Sequence, residues 1–547
     1  MSLPSAYFDP ERSLSAFLTF LRHAAAEKRD SLPETQNTWL EAAALLHPLD
    51  EGALDALTIA LQQQQRHDHA VALAAIIAQL QHDRAAAHFR HGYALQLSKR
   101  HADAIEPYRK ALALEPQFPQ LRNNLAGALS LVNGSLDERI ALLESALADN
   151  PGEHNAWINL TQAYRATLNL PLALEAGAQA VKCAPHSPMA HNNYALTLRE
   201  AQRWDDALRV ASTASALAPD DPTMQSNLAM LLLMHGDYAR GWPAHEARWN
   251  GSMELGGNRP VMSAPGWRGE SLAGKTLLVW GEQGLGDVLQ FSRYIPLLAE
   301  RVHREGGRLA WNSFPQMGAL LVRSLGAAVD SYTAGGRIEA LPPFDYEIPL
   351  LSLPLLFGTR EETIPARGPY LHADTLARHC WRQRLAGESR LKVGLTWTGS
   401  AGHQRNPFRR VGWERYATHF GDMRDIAFYC LQPGAASDVA AAQAAGFPMT
   451  DYTAGFASID DTAAFVSALD LVITVCTSVS HLSGALGQRT WVLLDVNPHW
   501  VWLLDRRDSP WYPSATLYRQ PQFGEWDPAL AAVARDLRVL AASHRAA

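Results

Sequence analysis

Apolar positions in the first half of the chain recur in steps of three and four. In the second half they gather into short unbroken runs. The first pattern is that of amphipathic helices. Pro116, Pro151, Pro185 and Pro219 recur at intervals of 35, 34 and 34 residues, each closing a similar phrase: ALALEP, ALADNP, AVKCAP and ASALAP. A second phrase keeps step: NNLAGAL, INLTQAY, NNYALTL and SNLAMLL. Between the two lies a helix-turn-helix pattern, as in HFRHGYALQLSKRHADAIEPYRKALALEP, with Ala94, Ala104 and Ala111 where two helices must come close. The proline stops the second helix of each pair, because it lacks an N–H and clashes with the preceding turn. Good copies run from about 85 to 250, and weaker ones extend back to about 36, behind a helical segment at 1–35. Such a period predicts stacked helix pairs with a concave face.

The stretch 251–274 is rich in Gly, Pro and Ser and reads as a linker. Beyond it the period changes. KTLLVW, GRLAW, DYEIPL, LKVGLTW, AFYCL and LVITV read as buried strands, and VLQFSRYIPLLAERV, FPQMGALLVRSL, TAAFVSALD and SHLSGALG as helices. This alternation predicts parallel sheets covered by helices, in two doubly wound lobes at 275–372 and 373–525, with a helical tail at 526–547. The expected fold class is an all-α repeat superhelix followed by a two-lobed, Rossmann-like α/β region. Ligands would then sit in a cleft at the carboxyl ends of the strands.

Composition narrows the class. The 547 residues are 47% hydrophobic and 19% charged, which is globular. The net charge of −7 argues against a nucleic-acid binder, which needs a basic face. Cys183, Cys380, Cys430 and Cys476 lie far apart, so neither a disulfide framework nor a cysteine zinc site is expected. The opening MSLPSAYFDPERS lacks an apolar core, and no stretch has the length of a spanning helix. A soluble, cytoplasmic protein with no membrane span is the expectation.

Three loops carry candidate chemistry. In LLVWGEQGLGDVLQF a strand is followed by Gly281, Gly284 and Gly286, and then by a helix starting near Asp287. Glycines admit positive φ and close approach of a ligand. Asp287 either takes a proton from an acceptor hydroxyl or caps the helix. The spacing is not GxGxxG and no Walker lysine follows, which excludes dinucleotide and P-loop readings. In GLTWTGSAGHQRNPFRR, His403, Arg405, Arg409 and Arg410 follow a strand and suit a diphosphate, or else form a solvated basic loop. In DLVITVCTSVSHLSGALG, Thr477 and Ser478 open a helix with His481 one turn in. This is an anion site or an ordinary cap. The segment DVNPHWVWLLDRRDSPWYPS is aromatic-dense and forms a cleft wall or surface packing. Cys476 has only its place before a helix to mark it as a nucleophile.

Asn124, Asn159, Asn193 and Asn227 are spaced by 35, 34 and 34 residues, so they hold one position in successive repeats. A row of amides, each donor and acceptor, either grips the backbone of an extended peptide or secures its own inter-helix turns.

The 34-residue period resembles the tetratricopeptide repeat, and the asparagine row resembles the ladder of protein O-linked N-acetylglucosamine transferases, where it grips the acceptor polypeptide. The stretch 275–525 resembles bacterial repeat proteins whose catalytic part is akin to the lipopolysaccharide heptosyltransferases. The carrying residues are GLGDVLQFSRYIP, GLTWTGSAGH with Arg409, the LQPG turn at 431–434 and TSVSHLSGALG. That resemblance implies a GT-B glycosyltransferase fold with Asp287 as base. The donor diphosphate would be held by His403, Arg409, Thr477, Ser478 and His481, beside Gly284 and Gly286, with Gln432 also contacting the donor. No metal is implied, since no DxD-type pair sits in a cleft loop and protein cations would replace it. A nucleotide-diphosphate sugar is the co-substrate and no further cofactor is expected. The chain departs from the family in having Cys476 before the late Thr and Asn406 and Arg410 in the central loop, where the family has acidic residues and Ser.

The resulting expectation is transfer of a sugar to a protein Ser or Thr held by the repeats. A flagellin or surface adhesin is the acceptor the resemblance suggests. The alternatives are a degenerate scaffold that docks a partner and a glycan-directed enzyme. Self-association is open, as repeat arrays often pair.

Overall fold

A computed structural model of the chain describes residues 58–546, apart from Met253, Asn258, Gln283, Arg337, Glu339, Ala340, Ala366, Arg367, Ala401, His403 and Gln404. The expected N-terminal segment, the first weak repeat copies and His403 therefore lie outside the described residues. Contacts divide the chain into two compact units that meet between Thr197 and Leu198.

The first unit consists of antiparallel helix pairs. His67–Leu80, Ala85–Leu97, His101–Leu114, Leu121–Leu131, Leu136–Asp149, His154–Ala166 and Leu170–Cys183 follow one another. Backbone geometry keeps the period better than the sequence phrases do. The turn between the helices of each pair holds one residue at positive φ: Gln65, Lys99, Asn133, Leu168, Gln202 and Gly236. Their spacing is 34, 34, 35, 34 and 34 residues. Only the last is glycine, so five turns carry a strained left-handed residue that the neighbouring helices impose. At the other end of each pair, Glu115, Asn150, Ala184 and Ala218 have extended ψ of 90°, 87°, 71° and 73°, as the following proline requires. Ala94, Ala104 and Ala111 are buried, and a Cβ added at Gly92 would stand 2.7 Å from the Tyr108 ring. The small residues therefore mark close helix approach, as the pattern predicts.

The second unit contains two sheets. Strands β1 (Thr276–Trp280), β2 (Arg308–Ser313), β3 (Ser331–Ala334) and β4 (Tyr346–Pro349) pair in the order β3-β2-β1-β4. Strands β5 (Leu391–Thr396), β6 (Ile426–Cys430), β7 (Met449–Asp451), β8 (Leu471–Val475), β9 (Thr490–Leu494) and β10 (Ala515–Arg519) pair in the order β10-β9-β8-β5-β6-β7. Every pairing is parallel. Continuous burial of β6, β8 and β9 is what parallel strands covered on both faces require. Each sheet reverses its direction of winding next to its first strand, between β1 and β4 and between β5 and β8. These are the two places where a doubly wound sheet opens a crevice.

The last repeat helices, Trp204–Leu217, Pro222–Met234, Tyr238–His245 and Arg248–Gly251, belong to this unit, so the compact boundary precedes the linker expected at 251–274. The reason is aromatic packing. Trp242 meets Trp500 edge-on with ring centroids 5.3 Å apart, and its Nε1 donates to the Thr359 carbonyl at 2.9 Å. Trp511 donates to the Tyr238 hydroxyl at 3.1 Å. The aromatic-dense segment near 500 is thus interior, since Trp502, Trp511 and Tyr512 are at most 1% exposed.

A buried ion pair completes this joint. Arg248 donates through Nε and Nη2 to Glu282 at 3.0 and 2.8 Å and to the Ser352 hydroxyl at 3.0 Å, while the Leu351 N–H donates to Glu282 at 3.0 Å. Both side chains are at most 2% exposed. Removing one member leaves an uncompensated buried charge. Arg248→Ala is expected to lower unfolding stability by about 3–5 kcal/mol, read as an earlier denaturant midpoint in tryptophan fluorescence. An unchanged midpoint would show that the joint does not depend on this pair.

Candidate functional site

Glu282 lies two residues beyond β1, and Leu351 and Ser352 lie just beyond β4, so the Arg248 cluster fills the crevice of the first sheet with the protein's own side chains. The crevice between β5 and β8 is lined differently. After β5 the loop is tied down by Asn406, which accepts from the Gly399 N–H at 2.8 Å and donates to the Thr398 hydroxyl at 3.0 Å. Gln432, just past β6, accepts from the Thr398 N–H at 3.3 Å. Arg409 reaches across to the carbonyl of Cys476, beyond β8, at 3.0 Å. It lies flat on Gly399, where a Cβ would stand 2.3 Å from its guanidinium. Gln432, Arg409 and the Cys476–Ser478 turn therefore meet at one edge of the second sheet.

Thr477 caps the helix Ser478–Ala485 by accepting from the Val479 N–H at 3.2 Å. His481, one turn in, is buried, and a Cβ on Gly286 would stand 3.0 Å from its Cδ2. The glycine turn of the first sheet thus packs directly on the late helix of the second. Gly281, Gly284 and Gly286 do not adopt positive φ. Their lack of a side chain serves close approach: at Gly281 a Cβ would stand 3.0 Å from Val288.

Of the two roles that the sequence left open for Asp287, the structure displays the cap. Its Oδ2 accepts from the Gly284 N–H at 3.1 Å, closing the cap of helix Leu285–Phe291. Dense surroundings desolvate it, and the nearby Glu282 and Glu254 carboxylates add to this, so its pKa is pushed up to about 7 although the Gly284 hydrogen bond pulls the other way. An ionised carboxylate there is a stronger base than a surface aspartate.

Several candidates differ from expectation. Arg405 is not free for a diphosphate: it donates to Glu200 and, at 3.0 Å, to Asp495, and Asn497 donates to Glu200 at 3.0 Å. Arg410 is exposed. Desolvation pushes the His481 imidazole down to about 3, so it is neutral and cannot act as the cation expected of it. Cys476, which was not expected to be a nucleophile, accepts from Trp502 Nε1 at 3.1 Å, and burial pushes its thiol up. Arg248, Glu282, Glu200 and Asp495 went unnoticed in the sequence. Arg248 and Glu200 lie outside the quoted motifs, Glu282 and Asp495 sit unremarked within them, and only the chain path brings each to its partner.

At Asn159 and Asn193 the asparagine row engages the protein itself. Asn159 donates to Asn123 of the preceding pair at 2.7 Å, and Asn193 accepts from Gln162 at 3.2 Å while only 3% exposed. These amides knit neighbouring pairs rather than securing their own turns. Asn124 is half-buried in the first unit and Asn227 half-buried in the second.

A tetratricopeptide-repeat family model matches residues 127–188 and 195–248, and the helical pairs are tetratricopeptide repeats. Among known proteins, Protein FlbA of Caulobacter vibrioides is 29% identical over 453 residues, which are 77% of this chain and 73% of that protein. Similar solved structures include YrrB, described as a TPR protein with an unusual peptide-binding site, at 18% identity and TM-score 0.28. The match covers 33% of this chain and 92% of that one. PilF of Pseudomonas aeruginosa matches at 17% identity and TM-score 0.32, over 38% of this chain and 92% of its own. MamA of Desulfovibrio magneticus RS-1 matches at 18% and 0.27, over 30% and 92%. Among the described residues no helix is long and apolar enough to cross a membrane.

Because Asn193 accepts from Gln162 in a buried setting, Asn193→Ala is expected to destabilise the repeats by about 1 kcal/mol, seen as earlier loss of helical circular dichroism on heating. An unaltered melt would mean that the amide contact contributes nothing.

Proposed function

We propose that the second unit transfers a sugar from a nucleotide-diphosphate donor to a hydroxyl of a protein partner, on a two-lobed arrangement of the GT-B kind. Repeats of this type suit a protein partner, and the resemblance of 275–525 to heptosyltransferase-like proteins supports the chemistry. The observation that carries the reading is the close approach of Gly286, the neighbour of Asp287, to His481 on the helix opened by Thr477, with Arg409 held on the Cys476 carbonyl just before that helix. Arg409 and the backbone N–H groups at Ser478 would bind the departing diphosphate, where preorganised donors act most strongly. Asp287 would accept the proton of the attacking hydroxyl.

The raised pKa gives two signs. A base must be ionised, so the transfer rate is expected to rise through pH about 7 and level off above it. Folding favours the neutral form. Asp287 therefore contributes most stability in acid and loses it as pH rises through about 7. Asp287→Asn is expected to abolish transfer, keep nucleotide binding, and gain melting temperature over the parent progressively from about pH 4, with the full gain reached by about pH 7. An active Asp287→Asn variant would remove Asp287 as the base.

Gly399→Ala is expected to displace the Arg409 guanidinium at little cost to folding, because only the end of a long side chain must move. Calorimetry with UDP-, GDP-, ADP- and dTDP-sugars should show at least tenfold weaker binding of whichever donor the parent binds. A parent that binds none of them points instead to a scaffold whose repeats dock a partner, a reading favoured by Asn406 and Cys476 standing where the family has acids.

A further inference from the structure

The two ring nitrogens of His481 face different surroundings. A Cβ on Gly286 would stand 3.6 Å from Nε2, on the side of the glycine turn. Nδ1 lies 3.0 Å from the Tyr512 hydroxyl. Tyr512 is 1% exposed and rests on Arg293, whose guanidinium carbon is 4.8 Å from the phenol ring centre. Arg293 is itself 1% exposed. Its Nε donates to the Gln290 carbonyl at 2.8 Å, its Nη1 to the Trp511 carbonyl at 2.8 Å and its Nη2 to the Tyr370 hydroxyl at 3.0 Å. Tyr370 in turn gives its hydrogen to the Leu289 carbonyl at 2.8 Å.

These contacts fix the direction of each bond. A guanidinium only donates. With the Arg293 cation held against the phenol, the favoured orientation of the Tyr512 hydroxyl directs its one proton away from that cation and to His481 Nδ1. An imidazole that accepts at Nδ1 and is neutral carries its proton on Nε2. That N–H is on the side of Gly286, where the two sheets' turns meet.

We propose that Tyr512, backed by Arg293, is a positioning residue that fixes His481 as the Nε2–H tautomer, so that the histidine gives a bound diphosphate a neutral N–H donor. The diphosphate clause rests on the function proposed above; the tautomer does not. Arg293 and His499 both add to the desolvation that keeps the ring unprotonated. The arrangement supplies a donor at the crevice without burying a second cation beside Arg293, which would cost more than the donor returns.

The test uses the full chain with nitrogen-15 in its histidines. Long-range proton–nitrogen correlation spectra distinguish protonated from unprotonated ring nitrogens, and the His481 signals are those lost in His481→Gln. The expected result is a protonated Nε2 and an unprotonated Nδ1, unchanged across the range near 6.5 where a free imidazole titrates. In Tyr512→Phe the signals should move toward a mixture of tautomers, with titration returning to that range. A protonated Nδ1 in the parent, a parent ring that titrates there, or signals unaltered by Tyr512→Phe would overturn the proposal. The parent spectrum decides even if the variant does not fold. Inorganic pyrophosphate, added to the parent, should shift the Nε2 resonance. If the tautomer is as stated and pyrophosphate shifts nothing, the diphosphate reading fails while the positioning by Tyr512 stands.

Discussion

The buried pair between Arg248 and Glu282 is the contact on which the second unit depends. Arg248 comes from the end of the repeats and Glu282 from the turn after β1, so one bidentate ion pair joins the two kinds of architecture. A buried ion pair is an expensive way to join surfaces, because desolvation offsets most of the attraction. Here it also satisfies the Leu351 N–H and the Ser352 hydroxyl, which leaves little unpaired. It further closes the crevice of the first sheet. A ligand of a doubly wound sheet is therefore directed to the second sheet, where Arg409, Gln432 and Thr477 gather.

The same pair shapes Asp287. Glu282 raises the Asp287 pKa and Arg248 lowers it, with desolvation outweighing both. The carboxylate thus sits five residues from a buried ion pair, on a short helix packed against His481. Across that contact the opposite strategy holds. His481 is kept neutral beside a buried arginine whose partners are carbonyls and phenols rather than carboxylates. The crevice is therefore bounded by one acid poised to ionise and one imidazole prevented from doing so. Perturbed groups arranged this way mark functional sites more often than structural ones.

Much of this was legible in the sequence, for definable reasons. The repeat was visible because proline and small residues are obligatory at fixed points of each pair, and six left-handed turns repeat the period in the backbone. Among the described residues, six of the ten strands were visible as apolar runs. β3 (SYTA) and β7 (MTD) escaped because they are short, edge or near-edge strands with polar residues. β9 (TWVLL) and β10 (ATLYR) lie in or beside aromatic stretches where strand and loop look alike. The candidate loops stand out in the sequence because glycines, hydroxyls and cations cluster after strands. Their electrostatics were not found. Arg405 looks like Arg409 in sequence, yet it is consumed by Glu200 and Asp495, residues 205 positions before and 90 after it. The role of the glycines was misjudged for a related reason. They were read as admitting positive φ and close approach of a ligand, whereas close approach of another segment selects glycine equally well.

The decision between an enzyme and an inert scaffold rests on what an idle crevice would retain. A scaffold has no use for Asp287 in a setting that disfavours its charge, since an asparagine or serine would cap the same helix without that cost. Nor would it need Gly399, where the three atoms nearest to an added Cβ all belong to the arginine lying across it. Asn406 and Cys476 weigh less heavily on the other side. Asn406 still orders the loop through three partners, and Cys476 contributes its carbonyl to Arg409, which any residue would do. Loss of the acids there lowers the negative charge near a proposed pyrophosphate site. It changes what the crevice prefers without dismantling the groups that would do the chemistry.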